Sequence, residues 1–564
     1  MSDISDATTA PPRVLADAYV DGLVDLDPLI ATALGRNPGD DRLPDLSPAG
    51  QQAKDDLARA TLRGLDAAPT ADDLEQRCAR LLRERLEAGL ALSDAGEHLR
   101  TVRNIFGPPQ AVRQVFSMMP SATVDDWAVI ARRMARVPEA YAGYAESLRE
   151  GSRRGLHAAP LQVRTLAGQL DEWLAAGGGR GWFATFVDDA PDDAPASLRE
   201  ELDRAAATAA QATARLRDVL LGEYLPAAEG TPDAVGADRY RLTSRMATGA
   251  DLDLEEAYAW GWSEYRRLDA EMRAAAEQIL PGADPVAAMR HLDEHGEAVE
   301  GVETVRQWLQ QMMDDAIADL DGTHFDIADP LKVVEARIAP PGSAAAPYYT
   351  RPTLDFSRPG RTWLPTLGRE RFPVWNLVST WYHEGVPGHH LQLAQWVHVA
   401  PRLSTYQTSV GSVSANTEGW ALYAERLMDE LGYLTDPGHR MGYLDAQMMR
   451  AVRVVVDIGM HLGLTVPDDS TFHPGETWTP ALAREFFGRH SGREPEFLDS
   501  EIVRYLGWPG QAISYKLGER AWLEGREAAR RRHGDAFDLK AWHMAALSAG
   551  SLGLDDLSDE LARL

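Results

Sequence analysis

A mainly α fold, a large helical body carrying one small β-sheet, is what this sequence predicts, and three observations predict it. Apolar residues recur at three- and four-residue steps through most of the chain, beginning with Leu15, Tyr19, Leu23 and Leu26. Helix-opening signals stand where such runs begin, as in the S-x-x-E pair Ser197 and Glu200. Period-two alternation, the mark of a strand, appears in a stretch from Lys332 to Leu364.

Taken in order, residues 1–12 read as a disordered tail and 13–330 as a helical N-terminal scaffold. Helical spacing runs from Arg13 to about Ala175, broken by loops such as NPGDDRLPDLSPAG. The glycines from Gly177 to Gly181 lack the Lys-Ser/Thr ending of a phosphate-binding loop and read as a surface turn. Ser197 is expected to cap an Ala-rich helix reaching about Tyr224, with further helices at Leu254 to Ile279, Pro285 to His295 and Glu303 to Leu320. No fixed-period repeat is present. Val334, Ala336 and Ile338 then alternate as a strand does, and Pro340 to Gly342 and Arg358 to Gly360 have turn chemistry. An edge of such a sheet can pair with an extended peptide, with Tyr348, Tyr349 and Arg351 placed to touch its side chains or terminal carboxylate.

Composition limits the function classes. A chain of 564 residues could form several average domains, but no stretch has linker composition, so one continuous body with sub-lobes is expected. With 57 basic against 86 acidic residues the formal charge is −29, which repels nucleic acid and anionic membrane surfaces. Cys78 is the only cysteine, so an intramolecular disulfide and a multi-thiolate zinc site are both excluded, and a reducing compartment is implied. The first residues have neither a basic start nor an apolar core, and no run of about 18 apolar residues occurs. Cytoplasmic residence is the resulting expectation; oligomeric state is not legible.

The stretch that carries chemistry is WYHEGVPGHHLQ, Trp381 to Gln392. His383 followed at once by Glu384, with His389 and His390 shortly after, is the arrangement of a catalytic zinc helix, in which imidazoles hold the metal and the carboxylate takes a proton from water. The spacing is two residues longer than in H-E-x-x-H. Pro387 offers no N–H to the carbonyl of His383, so a bulge is expected there, with Gly388 absorbing it and His389 delivered as the second ligand. His390 then faces the substrate or supports the ligands, though it competes with His389 for the metal.

With the later segments TEGWALYAE, RAVRVVVDIGMH and RYLGWPGQAISYKLGE, this motif resembles the bacterial family called domain of unknown function 885. That family is similar to the gluzincin metallopeptidases, and the likeness is densest from about Tyr348 to Glu519. The resemblance implies a metallopeptidase-like body with a deep central cleft, a catalytic region at 331–564, and Zn2+ as cofactor. It also implies Glu418, 35 residues after His383, as the third ligand; Glu425, seven further on, falls on the same helical face and could brace a ligating imidazole.

Three more groups are candidates. Arg450, Arg453, Asp457 and His461 share one helical face, which is either a buried ion-pair network or a functional wall; Asp457 could orient His461 toward a developing oxyanion. Tyr515 and Tyr505 are the phenols that could do the same, while Arg504, Gln511 and Lys516 could hold a substrate carboxylate. Arg526, Arg530, Arg531 and Arg532 read as a solvated face. The function these imply is a zinc-dependent hydrolase of short peptides or small amides, of carboxypeptidase or dipeptidase type if an Arg or Lys receives the terminal carboxylate. A small-molecule amidase acting on amino-acid conjugates and a helical binding protein with a structural metal are the other two readings.

Overall fold

The structure is a computed structural model that describes residues 10–340 and 346–564. Of the expected tail, positions 1–9 lie outside the described residues, and Pro12 already opens the first helix, Pro12–Leu26. The turn expected at Pro340 to Gly342 also falls largely outside them. Helix accounts for 67% and strand for 4%, a mainly α fold with small sheets. Among the described residues no helix is long and apolar enough to cross a membrane.

The chain folds into two compact units, and the division is not at residue 330. The first takes the residues up to Pro69, Leu86–Val235 and Val503–Trp508; the second takes Thr70–Arg85, Gly236–Ile502 and Pro509–Leu564. Residues 236–330 belong with the second because of what their side chains meet. The helix Leu254–Ile279 lies along Pro437–Leu462, so tightly that a Cβ on Gly261 would come within 2.9 Å of Val454. The helix Val302–Leu320 backs the sheet: the Gln310 amide donates to the Val334 carbonyl at 2.9 Å and its oxygen accepts from the Ala336 N–H at 2.8 Å.

The first unit is helical around a core that includes Phe116, Trp127, Tyr144, Leu166 and Leu216. Ser197 does not cap. The helix Ala196–Val219 starts one residue earlier, behind Pro195, whose ψ of 146° turns the chain into it, so the Ser197 hydroxyl already lies inside the first turn. A wider turn, Leu220–Tyr224, carries the helix to the expected end. Gly177 and Gly178, at φ 60° and 72°, bend the end of the helix Pro160–Gly179, the left-handed conformation that glycine adopts freely.

In the second unit the elements that position the site are, in order, α1 (Leu254–Ile279), β1 (Ala298–Glu300), α2 (Val302–Leu320), β2 (Val334–Ile338), β3 (Tyr348–Thr350), β4 (Gly360–Leu364), β5 (Arg371–Pro373), α3 (Leu377–Glu384), α4 (His389–His398), α5 (Ser414–Glu430), α6 (Pro437–Leu462) and α7 (Ser514–His533). The sheet has the order β2-β4-β3, with β2 parallel and β3 antiparallel to β4, while β1 and β5 form a separate antiparallel pair. Val334 and Ala336 are buried, and Glu335 between them points outward to Arg361 at 2.8 Å, as a half-buried strand requires.

The pillar of this unit is α6. Asp436 caps its first turn through the His439 N–H, Pro437 opens it, and Gly463, at φ 63°, closes it. Almost every residue from Met441 to His461 is buried, with α1 on one side and α3 on another. Beside it α5 and α7 cross at glycine: a Cβ on Gly419 would stand 2.4 Å from the backbone of Gly518, and one on Gly518 would stand 2.0 Å from the Ala415 carbonyl. That close approach sets the height of α5, and so of Glu418 and Glu425.

Candidate metal centre

The histidine segment is two helices, not one bulged helix. α3 ends at Glu384, the chain crosses Gly385 to Gly388 with a cis Val386–Pro387 bond, and α4 starts at His389. Pro387 withholds the N–H that a continuous helix would need; an amide before it keeps an ordinary helical bond, and two after it reach further back. Gly385 N–H donates to the Trp381 carbonyl at 2.8 Å, Gly388 N–H to Tyr382 at 3.0 Å and His390 N–H to Gly385 at 3.0 Å. The carbonyls of Pro387 and Gly388 accept from the indole N–H of Trp420 on α5, at 2.9 and 3.2 Å. Space at the junction is minimal, since a Cβ on Gly388 would lie 2.0 Å from the His383 carbonyl oxygen.

This junction places the rings of His383 and His389 with centroids 4.7 Å apart and planes at 84°. The Nε2 atoms of both stand 3.6 Å from the same oxygen, Oε2 of Glu418. That is too long for a hydrogen bond. It is close to the edge of a tetrahedron, about 3.4 Å, built on metal–ligand bonds of about 2.0 to 2.1 Å. Donor atoms of His383, Glu384 and His389 also lie within 4.8 Å of one another, which offers Glu384 as a rival third ligand. Glu418 fits better, because one of its oxygens is equidistant from both nitrogens at close to the tetrahedral edge. Two imidazoles and a carboxylate with a further carboxylate alongside are donors that suit zinc.

His383 is braced. Its Nδ1 meets Glu425 Oε1 at 2.7 Å, and the Ser379 hydroxyl donates to the other oxygen of Glu425 at 2.7 Å. The Glu425 carboxyl is pushed up by burial but lies below its ordinary value overall, through its hydrogen bond to His383 and the charge of Arg450. An ionised Glu425 keeps the proton on Nδ1 and leaves the Nε2 lone pair for a metal. Burial pushes the His383 imidazole down, but the nearby Glu418 carboxylate and the hydrogen bond to Glu425 hold it up at about 9. Burial likewise opposes ionisation of Glu418, yet the two imidazoles keep it well below the usual carboxylate range. Glu384 goes the other way, raised by burial, with His383, His389 and Arg450 opposing. If the centre holds zinc, replacing Glu425 by Gln is expected to weaken its binding about 10- to 100-fold, read by competition with a chelating dye.

His390 is directed elsewhere. It is buried with both nitrogens engaged, Nδ1 with the Tyr349 hydroxyl at 3.0 Å and Nε2 with the Leu331 carbonyl at 2.8 Å, and so pins α4 to the sheet instead of facing substrate. Burial lowers its imidazole to about 4. His389→Ala should therefore lose zinc. His390→Ala should keep it and cost about 1–3 kcal/mol of stability from the unsatisfied partners. Zinc titration and urea unfolding of the two variants separate the roles, and the reverse result would make His390 the ligand.

The other expected residues are spread more widely. Tyr348 stacks on Trp363 with centroids 5.9 Å apart. Arg351 donates to the Thr408 carbonyl and lies over the Trp396 ring, so it is a packing arginine here. Lys516 is fully buried and bound to Gln447, Glu519 and Glu264, the last at 2.8 Å, which leaves it no charge to offer a substrate. His461 and Asp457 lie in a buried network in which Asp457 Oδ2 accepts from the Tyr240 hydroxyl at 2.6 Å and the Gly510 N–H at 2.9 Å. Gln511 is buried in the turn before α7, where its carbonyl accepts from the Ser514 N–H. Arg504 and the fully buried Tyr505 end the helix Pro495–Gly507 and belong to the first unit. Arg526 is not solvated: it is buried against Tyr423 and Glu430, at 3.1 and 2.9 Å, while Arg530 to Arg532 are exposed. Tyr515 is half-buried beneath Arg453 and Arg450, 4.9 and 6.0 Å from its ring centre, and its hydroxyl makes no hydrogen bond among the described residues.

Two contributors escaped sequence reasoning. Trp420 holds the junction, and nothing but the tryptophan in GWALYAE marked it. Arg450 acts electrostatically on both Glu384 and Glu425; its position was visible on the α6 face, but not that, among the described residues, Arg453 alone of the pair finds an acid, Glu501 at 2.8 Å.

A family model described as "Bacterial protein of unknown function (DUF885)" matches residues 28–561. The fold is similar to the crystal structure of a candidate lipoprotein from Colwellia psychrerythraea, with a TM-score of 0.84, 22% identity and 98% of each chain covered. It is also similar to a candidate lipoprotein of unknown function from Shewanella oneidensis, with a TM-score of 0.75, 18% identity, and 98% of this chain and 99% of that one covered. Among curated proteins none matches.

Proposed function

The chain belongs to the DUF885 family, and we propose that it is a zinc-dependent hydrolase that cleaves peptide or amide bonds in short peptides or small amides, with a ligand set of gluzincin type. The observation that carries this reading is the convergence of His383 and His389 on one oxygen of Glu418, 3.6 Å from each, with Glu384 alongside. A purely structural site has no use for that fourth group, a buried carboxylate next to a ligand.

His383, His389 and Glu418 would hold the ion. Bound there, zinc supplies Lewis acidity toward water and toward a substrate carbonyl. Glu384 takes one proton of the attacking water and hands it to the nitrogen of the breaking C–N bond, so that the amine leaves neutral and the acyl carbon keeps the water's OH as a carboxylic acid, which then passes its proton to the released amine. Tyr515, whose hydroxyl makes no hydrogen bond among the described residues, donates to the oxyanion. Glu425 and Ser379 keep His383 in the one tautomer that can bind.

The test is metal-dependent hydrolysis. Protein loaded to about one zinc per chain is expected to release amine from a mixed set of short peptides and N-acyl amino acids, to lose this on chelation and to regain it with zinc. Saturating zinc should also raise the unfolding free energy, by about 2.7 kcal/mol at a hundredfold excess over Kd. Hydrolysis indifferent to chelation, or no zinc binding, overturns the proposal. Cytoplasmic residence, proposed from the single cysteine Cys78, is checked by cell fractionation; recovery in the envelope would instead align the protein with its lipoprotein-named structural neighbours.

A further inference from the structure

Charge on the inner face of α6 is paired with one exception. Arg453 has Glu501 at 2.8 Å, Asp445 has Arg493 at 2.8 Å, and Asp457 has Tyr240 and Gly510. Arg450 has no carboxylate partner among the described residues. Its NH1 donates only to its own helix, at the Ala446 carbonyl 3.0 Å away, and its Nε is buried with no acceptor. This is out of keeping in a chain with 86 acids for 57 bases, where acids to pair with are plentiful.

The position is as telling as the missing partner. Gly442 packs against Trp375 and Asn376 at the head of α3. Eight residues further along each helix, roughly 12 Å of rise, come Arg450 and Glu384. Arg450 also borders Tyr515, the proposed oxyanion donor. A half-buried guanidinium is costly when unpaired, and its flat fork matches a carboxylate with two parallel hydrogen bonds. Of the other cations expected to meet a carboxylate, Lys516 and Arg351 are already taken within the fold, and Arg504 belongs to the first unit.

Resting on the hydrolase reading, we propose that Arg450 receives the free C-terminal carboxylate of the substrate, so that the enzyme acts from the C-terminal end of short peptides. The partner missing from the fold arrives with the substrate. Arg450 is then a specificity-determining residue, and peptides lacking a free terminal carboxylate are poor substrates.

The experiment uses the zinc-loaded full chain and a pool of N-acetylated tripeptides made in matched acid and C-terminal amide forms, followed by mass spectrometry. Wild type is expected to cleave acids about ten- to a hundredfold faster than amides, the worth of one charge-assisted hydrogen bond. In Arg450→Gln, with zinc content and thermal unfolding checked, that ratio should collapse toward one, and Arg450→Lys should recover part of it. A purely electrostatic effect of Arg450 on Glu384 would slow both pools equally and leave the ratio alone. Equal cleavage of acids and amides by wild type, or an unchanged ratio in Arg450→Gln, overturns the inference while leaving the hydrolase reading intact. If wild type cleaves neither pool, the hydrolase reading fails, and native mass spectrometry of the Glu384→Gln protein decides the carboxylate site. Retention of acids over amides that disappears in the Glu384→Gln, Arg450→Gln double variant supports it, and equal retention overturns it.

Discussion

Glu384→Gln is expected to lower turnover of the zinc-loaded protein by about 10²- to 10⁴-fold, the usual contribution of a general base, with zinc content unchanged. Gln has the shape of Glu and can occupy the same buried place at the end of α3, but it cannot accept a proton. The ligand atoms of His383 and His389 and the Glu425 brace are untouched by the change, so metal affinity should survive it. Metal analysis beside steady-state kinetics reads both quantities from one preparation. Loss of turnover together with loss of zinc would instead make Glu384 a ligand, as its membership of the same donor cluster allows, and turnover near wild type would remove it from the chemistry.

Gly388→Ala is expected to be as damaging from outside the ligand set. The added Cβ would meet the His383 carbonyl oxygen at 2.0 Å and the Tyr382 carbonyl oxygen at 2.4 Å, and both are backbone atoms that cannot rotate aside. Relief requires α3 and α4 to separate, which breaks the Gly388 N–H bond to Tyr382 and pulls His389 away from His383. Overpacking of this kind costs about 1–3 kcal/mol, and more where backbone is struck. The variant should therefore melt earlier and bind zinc far more weakly. Gly432→Ala is the comparison: nothing lies within 4 Å of its Cβ position, so any loss there comes from its φ of 86° and leaves zinc binding alone. Unfolding curves with and without zinc check both. A Gly388→Ala protein with normal zinc affinity would show that the junction does not set the spacing of the imidazoles.

Much of the architecture was legible because helical and strand periodicities are local. The bounds Leu254–Ile279 and Pro285–His295 follow from apolar spacing, and Val334 to Ile338 from strict alternation. The failures share a cause as well. Ser197 looked like a cap because a motif cannot show that Pro195 has already turned the chain one step earlier. Arg351 and Arg526 looked available because their acceptors, the Thr408 carbonyl and Glu430, are 57 and 96 residues away along the chain; for Lys516 the same holds of Glu264, 252 residues away, though Glu519 stands only one helical turn on. The division between units escaped for the same reason, since α1 joins the later half through contacts with α6.

Read alone, the chain settles the helical class, the strands before the histidines, the exclusion of a thiolate site and the short list of groups able to hold a metal, because each depends on residue type and near spacing. Which imidazole turns toward Glu418, which carboxylate braces it and which arginine keeps an unsatisfied fork were decided only in three dimensions. Those choices depend on how α3 and α4 join at Gly388, how closely α5 and α7 cross at Gly419 and Gly518, and which acids lie within reach of α6, and packing alone sets such distances.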